Sequence, residues 1–119
     1  AKDRTQSKDL AGSEGPVAII HHPDVKRMLM TMRAYTEGAR AMAYVAAAAS
    51  DQAHFSPDES VRQSNLALYE YLVPIVKGFS TEMSVDVASL GIQVHGGMGF
   101  IEETGAAQFY LDARILPIY

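Results

Sequence analysis

An all-α fold follows from three observations. Apolar residues recur at helical three-to-four spacing over two long stretches, turn-forming residues gather between them, and no stretch alternates apolar and polar residues as a half-buried strand would. Two helices of that length form an antiparallel hairpin, and a hairpin leaves the far flank of each apolar stripe uncovered. The predicted architecture is therefore an antiparallel long-helix hairpin forming half of a four-helix bundle. The other half is expected from residues outside the chain or from a second copy.

Residues 1–23 read as a lead-in loop. DLAGSEGPVAIIHHP, at 9–23, mixes Gly12, Gly15, Pro16 and Pro23 with an apolar VAII segment, which predicts a loop tucked against something. From Asp24, expected as N-cap, apolar residues recur at Val25, Met28/Leu29, Met32, Tyr35, Ala39, Met42/Ala43, Ala46 and Ala49. The spacing predicts a helix over 24–50, roughly seven turns long. Its Ala- and Met-rich stripe, with Gly38 in the middle, suits close approach by a neighbouring helix.

DQAHFSPDES reads as a ten-residue turn, with Ser56 suited to capping and Pro57 to the first helical position. A second stripe runs through Val61, Asn65, Leu68, Leu72, Ile75/Val76, Phe79, Met83, Val87, Leu90 and Val94. It crosses Pro74 and Gly78 without losing phase, which predicts one long kinked helix over 57–94 rather than two separate ones. The glycine-dense run QVHGGMGFIEETG follows, then a short helix over 103–113, closed near Pro117.

Bulk properties narrow the function classes. With 10 Lys+Arg against 14 Asp+Glu the net charge is -4, so there is no basic footprint and no nucleic acid is expected as ligand. The absence of cysteine excludes a disulfide framework and a thiolate metal site. The longest apolar run, Ala41 to Ala49, is far short of a membrane span, and the charged amino end lacks a signal peptide's apolar core. The expectation is a soluble chain of the bacterial cytoplasm, or of the mitochondrial matrix if its source is eukaryotic. Both ends read as cut rather than finished.

The glycine run is the first candidate site. Gly96, Gly97 and Gly99 follow a helix, where glycine is usually the left-handed residue that ends it. Gln93 and His95 stand beside glycines whose backbone amides could approach a ligand without side-chain obstruction. The run is not a dinucleotide fingerprint, because it follows a helix rather than a strand. Glu102 and Glu103 are neighbours in the expected first turn of a helix, where the dipole favours acidic residues, and no catalysis is assigned to them. His21, His22, His54 and His95 include no pair at the i, i+4 spacing of a helical metal site, so no metal is expected. Arg4 is either a solvated charge or, through its paired donors, a diphosphate holder. The Ala/Met stripes read as core rather than as a substrate tunnel.

IQVHGGMGFIEETGAAQFYLDARILPIY resembles the late helical segment of the acyl-CoA dehydrogenases, and IIHHPDVKRMLMTMRAYTEGARAMAYVAAAASD is similar to the family helix that precedes it. The likeness extends over essentially the whole chain, and its 28-residue carboxyl block is the most specific part. It implies a flavoprotein with an acyl-CoA dehydrogenase-type four-helix bundle at its carboxyl end, assembled as a dimer or tetramer. Such an enzyme converts acyl-CoA thioesters to trans-2-enoyl-CoA, a carboxylate taking the α proton and FAD the β hydrogen, and passes electrons to an electron-transfer flavoprotein. By residue-by-residue match, Arg4 and Gln6 imply contacts to the flavin dinucleotide of a neighbouring subunit. Gln93, Val94, His95, Gly96 and Gly97 match the segment that holds its adenosine and diphosphate portion, and His22 matches a further contact.

The chain departs from the family at Pro23, where glutamine is common, at Ser7 and Lys8, where Phe-Gly is common, and at Leu111, which replaces a frequent arginine. In most members the catalytic glutamate follows the tyrosine matching Tyr119; others carry it on an earlier bundle helix. On either arrangement no catalytic residue is expected within 1–119, and these residues alone should neither retain FAD nor catalyse. Two other classes share the pattern: a helical interaction module without flavin, and a same-fold acyl-CoA oxidase or flavin monooxygenase.

Overall fold

The computed structural model describes residues 1–118. Tyr119, after which the family glutamate is expected, lies outside the described residues. Four α-helices follow in order: α1 (Pro23–Phe55), α2 (Glu59–His95), α3 (Gly97–Phe100) and α4 (Ala106–Arg114). Among the described residues there is no strand, only an isolated antiparallel bridge between Thr5 and Ala18. The all-α prediction holds.

α1 starts one residue earlier than expected and is capped differently. His22 is its N-cap, in an extended conformation, and Pro23 takes the first helical position, where its missing N–H costs nothing. Asp24 therefore sits inside the first turn and pairs with Arg27 at 2.7 Å instead of capping. The helix also runs five residues past the expected end, to Phe55. Pro57 is what stops it: the residue before a proline is pushed out of the helical region, and Ser56 is extended at φ -63, ψ 137.

The connector shrinks accordingly from ten residues to three, Ser56 to Asp58. Ser56 is not the cap of α2, and Pro57 is not its first residue. Asp58 caps it, its carboxylate accepting from the Ser60 amide at 2.8 Å and from the Ser60 hydroxyl at 2.7 Å. α2 then passes through Pro74 without interruption, as its unbroken stripe predicted. It ends at Gly96, whose φ of 64° and ψ of -146° no other residue adopts easily.

Beyond Gly96 the chain is more structured than expected. α3 was not foreseen, and the short helix expected from 103 starts only at Ala106. Glu102 and Glu103 lie in a 3-10 turn, Glu102–Thr104, followed by the left-handed Gly105 at φ 77°. Thr104 locks this connector by donating its hydroxyl to the carbonyls of Met98 at 2.5 Å and Ile101 at 3.0 Å.

Ser84, Val87, Ala88 and Gly91 of α2 line one groove with Ala106, Phe109 and Ala113 of α4, and just past α4 the Leu116 carbonyl meets Lys77, far back along α2. α4 therefore retraces α2 in the opposite direction. The result is a flat, elongated slab of 67 × 32 × 16 Å, with a radius of gyration of 20.0 Å, against about 13–14 Å for a compact domain of this length.

Its core is thin. Among the described residues the only buried hydrophobic ones are Ile19, Met28, Ala39, Ala46, Ala49, Val94 and Ala113, and four of these seven are alanines with a single methyl to bury. The surface totals 8347 Å², about 2,000 Å² more than a compact monomer of this length would expose. Much of the excess is apolar: Tyr44 is 69% exposed, Phe55 82% and Tyr71 67%. On α2, Leu68, Tyr71, Ile75 and Phe79 form an exposed flank at helical spacing. The hairpin is thus left with uncovered flanks, as a half-bundle requires. Among the described residues, no helix is long and apolar enough to cross a membrane.

Candidate functional site

The hairpin brings the start of α1 and the end of α2 to the same end of the slab, and the lead-in segment crosses over them. Its course is set by backbone pairing: Gln6 N–H donates to Val17 at 3.0 Å, Val17 N–H to Ser7 at 2.9 Å and Ile19 N–H to Arg4 at 2.9 Å. Ile19, buried at 6% exposure, anchors this pairing and confirms that the VAII segment is tucked in. Arg4 is thereby laid across the carboxyl end of α2.

Arg4 Nη1 donates to the His95 carbonyl at 3.2 Å, and Nη2 to Gln6 Oε1 at 3.3 Å. A cation at the carbonyl end of a helix is favoured by the dipole, so Arg4 acts as a helix cap supplied from 91 residues away. Two of its five N–H groups are used, which leaves three for a ligand. His22 Nε2 lies 2.6 Å from the Gln6 carbonyl oxygen. A carbonyl can only accept, so Nε2 carries the hydrogen and Nδ1 is the ring atom left over.

These contacts frame an open cleft of about 500 Å³ lined by Arg4, Gln6, Ser7, Lys8, Ile19, His22, Asp24, Val25, Met28, Gln93, Val94 and Gly96. Its floor is apolar, from Ile19, Val25, Met28 and Val94. Its rim carries the cations Arg4 and Lys8 and the amides of Gln6 and Gln93, and Asp24 is engaged by Arg27. The amino end of the 33-residue α1 also opens here, with its positive dipole end.

Of the eight residues singled out from the sequence, Arg4, Gln6, His22, Gln93, Val94 and Gly96 converge on this cleft. His95 contributes its carbonyl to Arg4, but its ring turns away. Nδ1 lies 2.8 Å from the Gly91 carbonyl, and the side chain borders a second groove. Gly97 lines neither cavity and opens α3. Sequence reasoning missed Ser7, Lys8, Ile19, Asp24, Val25 and Met28. The run Asp24, Val25, Met28 was legible as the first turn of the α1 stripe; Ser7 and Lys8 carry no local signal.

The second groove, about 520 Å³, lies between α1, α2 and α4 and is lined mainly by Met32, Met83, Val87, Ala88, Phe109 and Ala113, with Thr36, Ser84 and Thr104 among its few polar groups. Among the described residues no group of three or more His, Cys, Asp or Glu could hold a metal ion. The two displaced pKa values lie outside both cavities. Hydrogen bonds from Ser60, with a smaller one from the Val61 amide, hold Asp58 below the usual carboxylate range, and the hydrogen bond and charge of Glu37 raise Arg33.

Residues 12–119 match the family described as acyl-CoA dehydrogenase, C-terminal domain. The whole chain is 59% identical to a 3-methylmercaptopropionyl-CoA dehydrogenase of Ruegeria pomeroyi, of which it covers 20%. It is 35% identical to a broad-specificity linear acyl-CoA dehydrogenase of Mycobacterium tuberculosis and 32% to a butyryl-CoA dehydrogenase of Syntrophomonas wolfei, again over the whole chain and 20% of each relative. The chain thus spans about a fifth of the length of these relatives. No solved structure matches it significantly. On the family match, the identity to these relatives over its whole length and the all-helical fold, the chain belongs to the acyl-CoA dehydrogenase family.

Proposed function

We propose that the protein containing this chain is a FAD-dependent acyl-CoA dehydrogenase that oxidises acyl-CoA thioesters to trans-2-enoyl-CoA. In this reading the chain itself supplies cofactor contacts and an oligomer interface. The observation that carries it is the convergence of Arg4, Gln6, His22, Gln93, Val94 and Gly96, far apart in sequence, on one cleft.

The donor set fits the adenosine and diphosphate portion of FAD. Arg4 offers three N–H groups and Lys8 an ammonium to a diphosphate, Gln6 and Gln93 offer amides, and the apolar floor suits a flat ring. Gly96 has no side chain, which lets Arg4 lie directly against its backbone. FAD, when bound, supplies the acceptor for the two electrons and the hydride. The residues of this chain bind and orient; none of them takes the α proton, and the base is placed just beyond Tyr119. Residues 1–119 alone are accordingly inactive.

The uncovered flanks support assembly. The excess of about 2,000 Å² exceeds the roughly 800 Å² that each partner contributes to a standard interface, so the slab has surface for the rest of its own bundle and for a second copy. A homodimer or tetramer follows, in which Arg4 and Gln6 complete the cofactor site of a neighbour. Electron-transfer flavoprotein is the partner that receives the electrons, and a soluble compartment is the place of action.

The test is to purify the full-length protein, record its flavin spectrum and add acyl-CoA thioesters without oxygen. The name of the Ruegeria relative makes 3-methylmercaptopropionyl-CoA the first to try, followed by butyryl-CoA and longer linear chains. Bleaching of the flavin absorbance with formation of the enoyl thioester is expected. A preparation that carries no flavin, or whose flavin no thioester reduces, sinks the assignment.

A further inference from the structure

We propose that Lys77 is a positioning residue for the catalytic base: by holding the Leu116 carbonyl it fixes the segment that leads into that base. The inference rests on the preceding reading, which places the base just beyond Tyr119, and adds a residue to it.

Among the described residues, the carboxyl segment has few ties to α2. α4 ends at Arg114, and residues 115–117 form a turn stitched to itself by Leu116 N–H to Ala113 at 3.1 Å and Ile118 N–H to Ile115 at 3.0 Å. Those bonds set the shape of the turn but not its place against α2. Packing within the chain adds little, because Ile115, Leu116 and Ile118 are exposed and Pro117 is half-buried. Lys77 supplies the tie across the gap: its Nζ donates to the Leu116 carbonyl at 2.7 Å, over 39 residues of sequence.

The geometry of α2 and α4 explains why Lys77 meets this carbonyl. α4 starts beside the carboxyl end of α2 and runs back along it, so the residues just past its end lie against earlier turns of α2, where the long Lys77 side chain reaches the Leu116 carbonyl. Pro117, which has no N–H and a fixed φ, comes directly after the held carbonyl. An extended chain covers at most about 3.5 Å per residue, so a base one residue beyond Tyr119 has its Cα within about 14 Å of the anchored Leu116. Catalytic groups must be held to a fraction of an ångström, and a displacement of about 1 Å can cost on the order of 100-fold in rate. An ammonium on a carbonyl four residues before the proposed base is a device of that kind.

The experiment uses the full-length protein with Lys77→Met, which keeps the length and removes the donor, and Lys77→Arg, which keeps a donor. Single-turnover flavin reduction, thioester KM, flavin content and amide exchange at Leu116 and Ile118 are measured on each. Lys77→Met is expected to slow flavin reduction about 10- to 100-fold while flavin content and KM stay near wild type, to speed exchange at Leu116 and Ile118, and to be partly rescued in Lys77→Arg. Unchanged exchange in Lys77→Met overturns the anchor whatever the chemistry. Faster exchange with an unchanged rate of flavin reduction overturns the positioning role, as does a slowing matched by equal loss of flavin. A wild-type protein whose flavin no thioester bleaches overturns instead the functional reading on which the role depends, and the exchange measurement still decides the anchor.

Discussion

The guanidinium of Arg4 occupies the space where any residue other than glycine at position 96 would carry its Cβ. Two constraints coincide there, since Gly96 also has φ 64° and ψ -146°, a region that is nearly glycine-only. Gly96→Ala is therefore expected to strain the backbone by about 1–3 kcal/mol and to push Arg4 off the His95 carbonyl. In the full-length protein this should lower both the thermal midpoint and the fraction of protein purified with flavin. Flavin content equal to wild type would show that Arg4 can move without consequence.

Arg4 is a bridging group, and lysine is a poor substitute for it. One ammonium cannot reproduce the fork that reaches the His95 carbonyl and Gln6 Oε1 while presenting further donors to a diphosphate. Arg4→Lys is expected to weaken FAD by roughly tenfold or more, with Arg4→Ala worse, in keeping with the 1.5–3 kcal/mol typical of charge-assisted hydrogen bonds. Equilibrium dialysis of FAD against apo-protein measures this directly. Equal dissociation constants for the three proteins would remove Arg4 from the site.

The α2 flank of Leu68, Tyr71, Ile75 and Phe79 is expected to be covered in the assembled protein. A carboxylate placed there would be desolvated without a partner. Tyr71→Glu should therefore shift the full-length protein toward smaller species in light scattering, or leave it in the insoluble fraction. An unchanged, soluble oligomer would mean that this flank faces solvent.

The cap of α2 should respond to acid. Hydrogen bonds from Ser60 lower the pKa of Asp58 in the folded state, so its contribution is fully present above the ordinary carboxylate value of about 3.9 and is lost as the pH falls through the lower folded value. The thermal midpoint of Asp58→Ala is expected a few degrees below wild type near neutrality, with the gap closing below about pH 4. A gap that persists unchanged into acid would assign the effect to something other than the ionised cap.

What was legible in the sequence is what repeats. The α1 and α2 stripes declare themselves over many turns, and Pro74 does not hide the second because the helix keeps its phase through it. Local punctuation was misread where two signals compete. Pro57 acts on the residue before it, so it ends α1 at Ser56 and leaves capping of α2 to Asp58. α3 was hidden because glycine normally argues against helix. Here glycine is required inside the helix, since a Cβ at position 99 would sit 2.5 Å from the Ile92 carbonyl oxygen and 2.8 Å from the His95 Cβ, a close approach that only glycine permits. Arg4 and Gln93 stood out from their own chemistry, but their meeting in one cleft was legible only through the family resemblance, because nothing local in DRTQ or IIHHP predicts that backbone pairing from Thr5 to Ala18 lays Arg4 on a helix end. Lys77 gave no signal at all, since its partner lies 39 residues away.

The slab shape changes what a surface residue means in this chain. Exposure in the single chain would make Tyr44, Phe55 and Tyr71 natural choices for attaching a dye or grafting an epitope tag. If those flanks are inner faces of the assembled protein, such positions will tolerate substitution as poorly as core positions do. Exposed residues on charged helix turns, such as Glu37 or Glu59, are then the sensible handles, and over the apolar flanks a mutational tolerance map of the full-length protein would read as the negative of the single chain's exposure.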